Sequence, residues 1–379
     1  MLKFELLKIY RDKTTYIFFL FMTLSLILPF ALAKSQSNDL FFYESNYDMA
    51  LGAIESMKND PNAEQAIKDV QETADYMKEI INGIKENDNK KIVNYELQLE
   101  KKKLNDMEAG TLVSIPLVDQ KSLVAKLQNI KDNNMEKLSS NLRELGSVNY
   151  FSILLSNFSF VLIILILIAI HISFLVNSDS RGKNLNIYSA SPTSKLKIYV
   201  TKFIAYSITI ISNLVVSFTF IFLILAIKNG TGNSEYPIAR IINNSEVTIM
   251  TTELFLLKNF LFYILLVVCF LFWGMLISLV SKNLIIGLIL LVIPLIVSQP
   301  SILNTYVNVQ LLPFILLSYF DIANIIVGGS GFAPLPNEAL TYKNGFVLLT
   351  IVIFVLIAIS IVIIKTEVFN KFINYRAKK

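Results

Sequence analysis

The chain has 379 residues, of which 54% are hydrophobic and only 17% charged, against about 25% charged in soluble domains. Its net charge of +5 is unevenly placed: residues 34–150 carry 20 acidic and 15 basic side chains, and the remainder carries 9 acidic and 19 basic. The positive excess therefore flanks apolar runs, as in a membrane protein, and argues against a nucleic-acid partner. One cysteine, Cys269, and one histidine, His171, exclude an internal disulfide and a zinc site of the usual Cys/His kind.

Residues 1–14 read as a short amphipathic helix in the cytoplasmic membrane interface, with Leu2, Leu6 and Ile9 on a different face from Lys3, Lys8 and Arg11. The apolar run that follows, with Ala31-Leu32-Ala33 at its end, resembles a signal peptide. It is longer than a signal core and is read as a retained first span over 15–33. A helix needs about 20 mainly apolar residues to cross the hydrocarbon, because lipid offers no partner to its backbone. Six runs qualify: 16–33, 151–176, 203–227, 259–280, 284–303 and 346–364. The fifth is interrupted by Pro294 and Pro300. A seventh stretch, 309–327, contains Pro313 and Asp321 and is read as re-entrant or interfacial, with a full span as the alternative. The expected fold is thus an all-α polytopic membrane protein of six transmembrane helices plus a helical extracytoplasmic domain.

Lys and Arg counts in the short loops give the expected orientation. With the N-terminus inside, cytoplasmic pieces hold fifteen and outer loops four: Lys228, Arg240, Lys258 and Lys343. Both termini are then cytoplasmic, with a basic tail over 365–379, and residues 34–150 lie outside a bacterial cell membrane. In that insert, Ile67, Val70, Ala74, Met77, Ile81 and Ile84 recur at helical spacing, as do Leu123, Leu127, Ile130, Leu138, Leu142 and Leu145. Turns are expected at 87–91 and 109–116, and the 142–145 end is expected to run into the second span as one long helix. The stripes suit a small bundle core or, alternatively, an exposed face for an amphipathic ligand or partner.

No G-x-x-x-x-G-K-[ST] loop is present, so the chain itself is not expected to hydrolyse ATP, and no catalytic, cofactor-binding or metal residue is assigned. His171 reads as a packed histidine rather than a proton relay, and Asp321 as a solvated or capping residue. In the third span Thr209, Ser212, Asn213, Ser217 and Thr219 are small or polar. They suit close helix packing, or alternatively the lining of a transport path.

The cytoplasmic loop 177–202, within the 151–364 transmembrane domain, runs through Asp179, Gly182 and Ser191-Pro192-Thr193-Ser194 to Lys202. Ser191 is expected to cap a helix with Pro192 at its first position. This loop, the N-terminal segment from Glu5 to Lys13 and the long first outer loop together resemble the membrane subunits of type-2 ABC exporters. Asp179 stands where that family usually has glutamate. The resemblance implies that Asp179, Gly182, Ser191, Pro192, Thr193, Ser194 and Lys202 belong to a coupling segment seated in a separate cytoplasmic ABC ATPase, which binds the ATP and Mg. It also implies a second permease copy or a related permease, with no cofactor in this chain. The expected activity is export of an amphipathic peptide, antimicrobial or lipid-like compound. A non-transporting membrane scaffold or surface receptor is the alternative.

Overall fold

The computed structural model describes residues 1–33, 39–112, 114–178, 193–243, 245–281, 283–330 and 334–366. Helix α1 (Leu2–Arg11) stops at Asp12, whose carboxylate accepts from Thr14 N at 3.0 Å and caps α2 (Lys13–Leu32). Ile9 O accepts from Asp12 N at 3.1 Å and from the Thr15 hydroxyl at 3.0 Å, so the last turn of α1 is tied to the start of α2.

Four helices follow: α3 (Asp39–Met57), α4 (Glu64–Glu86), α5 (Asn89–Glu108) and α6 (Leu117–Asp132), each packed on the next. The stripe from Ile67 to Ile84 lies on α4, where Ala74, Ile80 and Ile81 are buried. Tyr43, Ile80, Ile81 and Leu99 form the centre of this segment. The expected turn at 87–91 is present. Asn87 takes the left-handed conformation (φ 55°), and Asp88 N donates to Gly83 O at 2.8 Å, a Schellman-type closure.

The second stripe does not stay on one helix. Asn134 also turns left-handed (φ 50°), Met135 N donates to Ile130 O at 2.9 Å, and α6 ends at Asp132. Leu142 and Leu145 therefore leave the face of Leu127 and Ile130 and pack on the core of the membrane bundle, while Leu138 bridges that core and the cluster around Ile130. The expected continuous helix from 142 into the second span is likewise absent. A new helix, α7 (Ser147–Ser156), begins after Gly146, and the span resumes as α8 (Phe158–Val176) after a break at Asn157. The Asn157 side chain accepts from Phe160 N at 3.3 Å, so a single polar residue both ends one helix and caps the next.

The third span belongs to α9 (Lys195–Asn229), 35 residues without interruption. At 1.5 Å per residue this is about 50 Å, well beyond the roughly 30 Å of hydrocarbon. Its far end leads to an antiparallel hairpin that the sequence reading did not anticipate, β1 (Pro237–Ile242) and β2 (Glu246–Thr251), which packs on α6. The hairpin runs directly into α10 (Thr252–Val280), which starts seven residues before the expected span and is capped by Thr251.

The fifth run is two helices, α11 (Leu284–Val297) and α12 (Pro300–Tyr306), bent by 79°. Pro300 starts the second helix, where its missing N–H costs nothing. Residues 309–327 form two 3-10 turns and the short helix α13 (Ile322–Val327), not a full span, and bury Tyr319, Phe320, Ile322, Ile325 and Ile326. The last span is α14 (Tyr342–Lys365), packed on α10. Five described helices are long and apolar enough to cross a membrane, or six with the bent pair as one. The protein is thus a multi-pass helical bundle with a helical segment, α3–α6, inserted after the first span.

Candidate functional site

One end of the bundle gathers α1, the start of α2 and the start of α9. Of the residues singled out for coupling, Asp179, Gly182, Ser191 and Pro192 lie outside the described residues. Thr193, Ser194 and Lys202 are described. The helix after the loop starts at Lys195 and is capped by Ser194, whose hydroxyl accepts from Lys197 N at 3.4 Å. The expected Ser191 cap and Pro192 start lie outside the described residues; Thr193 and Ser194, which are described, are not helical. Ser194 meets the same cap chemistry as Ser191, and local pattern alone does not separate them.

Two contacts at this end were not read from sequence. Helix α1 packs against α9 and buries Glu5 (0% exposed) together with Ile9, with Lys8 Nζ 3.9 Å from the carboxylate. A carboxylate on the buried face of an amphipathic helix gives no periodicity signal, because the pattern reads it as polar surface. In the first turns of α9, Tyr199 donates its hydroxyl to Ser360 Oγ at 3.0 Å, tying α9 to α14. At its opposite end, Asn229 donates to Arg143 O at 2.7 Å and Leu145 O at 2.9 Å. Beside it, Ser147 N and Val148 N donate to Gly230 O and Thr231 O, with Gly146 so close to Gly232 that it could carry no side chain, and Gly232 closed off in turn by Asn149 Oδ1. One unbroken helix thus joins the Ser194 end of the bundle to the chain that links the inserted helices to α7.

The polar residues of the third span divide along α9. Thr209 and Ser217 are fully buried, and Thr209 returns its hydroxyl to Ala205 O at 2.9 Å. Ser217 accepts from Thr23 Oγ1 at 3.2 Å, a contact between α9 and α2 of the packing kind. Half-buried Ser212 donates to Thr209 O at 3.0 Å. Asn213 shares a closed crevice with His171, Phe18 and Met22. Asn213 Nδ2 and His171 Nε2 there have no hydrogen-bond partner among the described residues. His171 is 5% exposed, and its ring stacks on Phe18 at 4.8 Å. Thr219 is exposed and faces elsewhere, into a slot between α7, α9 and α10.

That slot has a volume of about 450 Å³. Val148, Phe151 and Leu155 of α7 form one wall, Phe218 and Phe222 of α9 a second, and Leu256, Leu257 and Phe260 of α10 a third. Phe151 stacks on Phe218 at 5.2 Å. Its two charged or hydroxyl groups nearest the inserted helices are Ser234 and Glu253, held together by Glu253 N donating to Ser234 O at 2.9 Å. Asp321 is a cap, as expected, accepting from Asn324 N at 3.4 Å. Among the described residues, no group of three or more His, Cys, Asp and Glu side chains is placed to hold a metal ion.

The family model of ABC-2 family transporter proteins matches residues 1–371. No curated protein and no solved structure matches the chain.

Proposed function

Because the chain belongs to the ABC-2 family of transporter proteins and is thereby a non-catalytic permease subunit of the kind that works with ABC ATPases, we propose that it is the membrane half of an ATP-driven exporter of an amphipathic compound. The observation that carries the coupling role is the continuity of α9. It runs from the Ser194 cap to Asn229 without a break, with α1 packed against it and its last residue bonded to the chain that links the inserted helices to α7.

A rigid helix transmits a displacement along its length, because its backbone bonds form one uninterrupted ladder. A partner ATPase dimer that closes on ATP and Mg, and presses on 177–202, moves the Ser194 end of α9. The displacement reaches Asn229 without a break in the helix, and its bonds to Arg143 O and Leu145 O pass it to the chain between the insert and α7. Two permeases, as a homodimer or with a related chain, rock against each other and open a path between them. The fifteen-to-four distribution of Lys and Arg supports placing 1–14, 177–202 and 365–379 in the cytoplasm and 34–150 outside a bacterial cell. An amphipathic cargo, whether peptide, antimicrobial or lipid-like, is supported by the apolar slot that opens between the spans.

The test is co-purification with a cytoplasmic ATPase, followed by substitution within 191–202. The expected result is a folded permease whose partner no longer shows stimulated ATP hydrolysis. A stable preparation that transports with no ATPase partner sinks the proposal.

A further inference from the structure

The slot between α7, α9 and α10 differs from an ordinary lipid-facing crevice in how its polarity is graded. Counting along α10 from its start, the lining residues are Glu253, then Leu256 and Leu257, then Phe260. At 1.5 Å per residue, Phe260 lies about 10 Å below Glu253. The other walls follow the same order, with Val148 above Leu155 on α7 and Phe222 above Phe218 on α9. An aromatic and aliphatic floor, with Thr219 beside Phe218 as its one hydroxyl, thus leads up to a single acidic rim. Glu253 is exposed and makes no ion pair among the described residues. The only basic residue of α10, Lys258, sits over the Tyr342 ring at 5.9 Å and does not line the slot. A volume of about 450 Å³ is in the range of small-molecule sites, about 300–1,000 Å³.

We infer that this slot seats a single-chain cationic amphiphile, with its hydrocarbon tail between Phe151, Phe222 and Phe260 and its positive head group against the Glu253 carboxylate. The charge at the rim selects the head. The tail cannot select strongly, because lipid is as apolar as the slot and moving a chain from one to the other changes little hydration. Phe151, Phe218 and Phe222 give the tail flat, rigid walls instead. The inference narrows the amphipathic cargo proposed above and depends on that reading only for its place in transport. Binding itself is measured without an ATPase.

The experiment uses the full chain in phosphatidylcholine nanodiscs and a dodecyltrimethylammonium probe carrying a diazirine at the tail end. Cross-links are expected on the floor, at Leu155 or Phe260, displaced by unlabelled dodecyltrimethylammonium and not by dodecyl sulfate. Glu253→Gln, a change at an exposed position, is expected to weaken that competition about two- to fivefold. Leu257→Trp narrows the mouth from an exposed position, and Phe222→Trp fills the middle; either is expected to abolish floor labelling, with size-exclusion profiles unchanged. Equal displacement by dodecyl sulfate, an unaltered Glu253→Gln competition curve, or labelling spread over all lipid-facing helices overturns the inference. Each of those results leaves the ATPase co-purification test untouched, so failure here is distinguishable from failure of the exporter reading.

Discussion

Gly345 holds the last span against the buried stretch that precedes it, and Gly345→Ala measures that contact. A Cβ built at Gly345 falls 2.8 Å from Cε1 of Tyr319, closer still to its Cδ1, and 3.0 Å from Cζ of Phe262. Carbon atoms rest about 3.5–4.0 Å apart, so the Tyr319 ring must retreat by about 1 Å. It has nowhere to go: Tyr319 is fully buried and its hydroxyl donates to Pro313 O at 2.9 Å. Overpacking of this kind costs about 1–3 kcal/mol, and loss of the Pro313 bond adds about 1 kcal/mol. The alanine gains up to about 1 kcal/mol of helix propensity over glycine, which leaves a net loss of about 1–3 kcal/mol. Gly52→Ala on α3 is the control, since a Cβ there meets nothing within 4 Å, and it is expected to be neutral or stabilising. Unfolding in mixed micelles by SDS titration reads both variants. Combining Gly345→Ala with Tyr319→Leu is expected to recover part of the loss, giving a non-additive cycle. Equal stability of Gly345→Ala and Gly52→Ala would refute the steric argument.

Three further outcomes follow from individual contacts. Ser194→Ala removes the cap of α9 at a cost of about 1 kcal/mol and is expected to reduce stimulated ATPase activity, whereas Ser194→Asp restores the cap and the activity; Asp failing where Ser succeeds would show that the hydroxyl acts other than as a cap. His171→Phe replaces a ring whose Nε2 has no described partner with one that stacks equally well on Phe18; thermal stability is expected to hold or rise by about 1 kcal/mol, and a drop beyond 2 kcal/mol contradicts the packed role. Burial first, and then the neighbouring Glu96 charge, push the Tyr43 phenol well above its ordinary value. A raised folded pKa gives stability that is complete below the unfolded value of about 10 and is lost as pH climbs past it. Proteolysis of α3 is therefore expected to accelerate above about pH 10 in the native chain. Tyr43→Phe is expected to flatten that dependence, and parallel pH profiles for the two chains count against it.

The elements that local chemistry dictates were legible in the residue order. Lipid forces backbone bonds to close within each span, so a long apolar run between basic flanks has one solution, and five such helices stand where the runs lie. Pro300 announced the broken fifth run because a missing N–H and a bulky ring act on the residue's own turn, whereas Pro294, also expected to interrupt it, sits inside α11 without breaking it. Asn87 announced its turn for the same reason. Asn134 carries identical chemistry, yet the apolar stripe on either side masked it; periodicity cannot tell a helix from two segments whose leucines serve different cores. Asn157 is similar, since one polar residue inside an apolar run is tolerated by a span or breaks it according to what surrounds it.

Of the candidate site, only the residue types were readable. The five polar residues of the third span were found by composition, but the tertiary structure decided that Ser217 meets Thr23, that Asn213 lies beside His171 and that Thr219 faces a slot. The hairpin over 237–251 is apolar on neither strand consistently and gains its place from α6 and α10. The slot is further from the sequence still, because its walls come from three helices separated by up to about a hundred residues. The sequence by itself determined that the chain crosses the membrane several times, since that property resides in runs of neighbouring residues. The pairing of helices, the buried Glu5 and the acidic rim above an aromatic floor were settled only by folding. Each is a relation between distant side chains, and no local pattern encodes which of many compatible partners a helix face will meet.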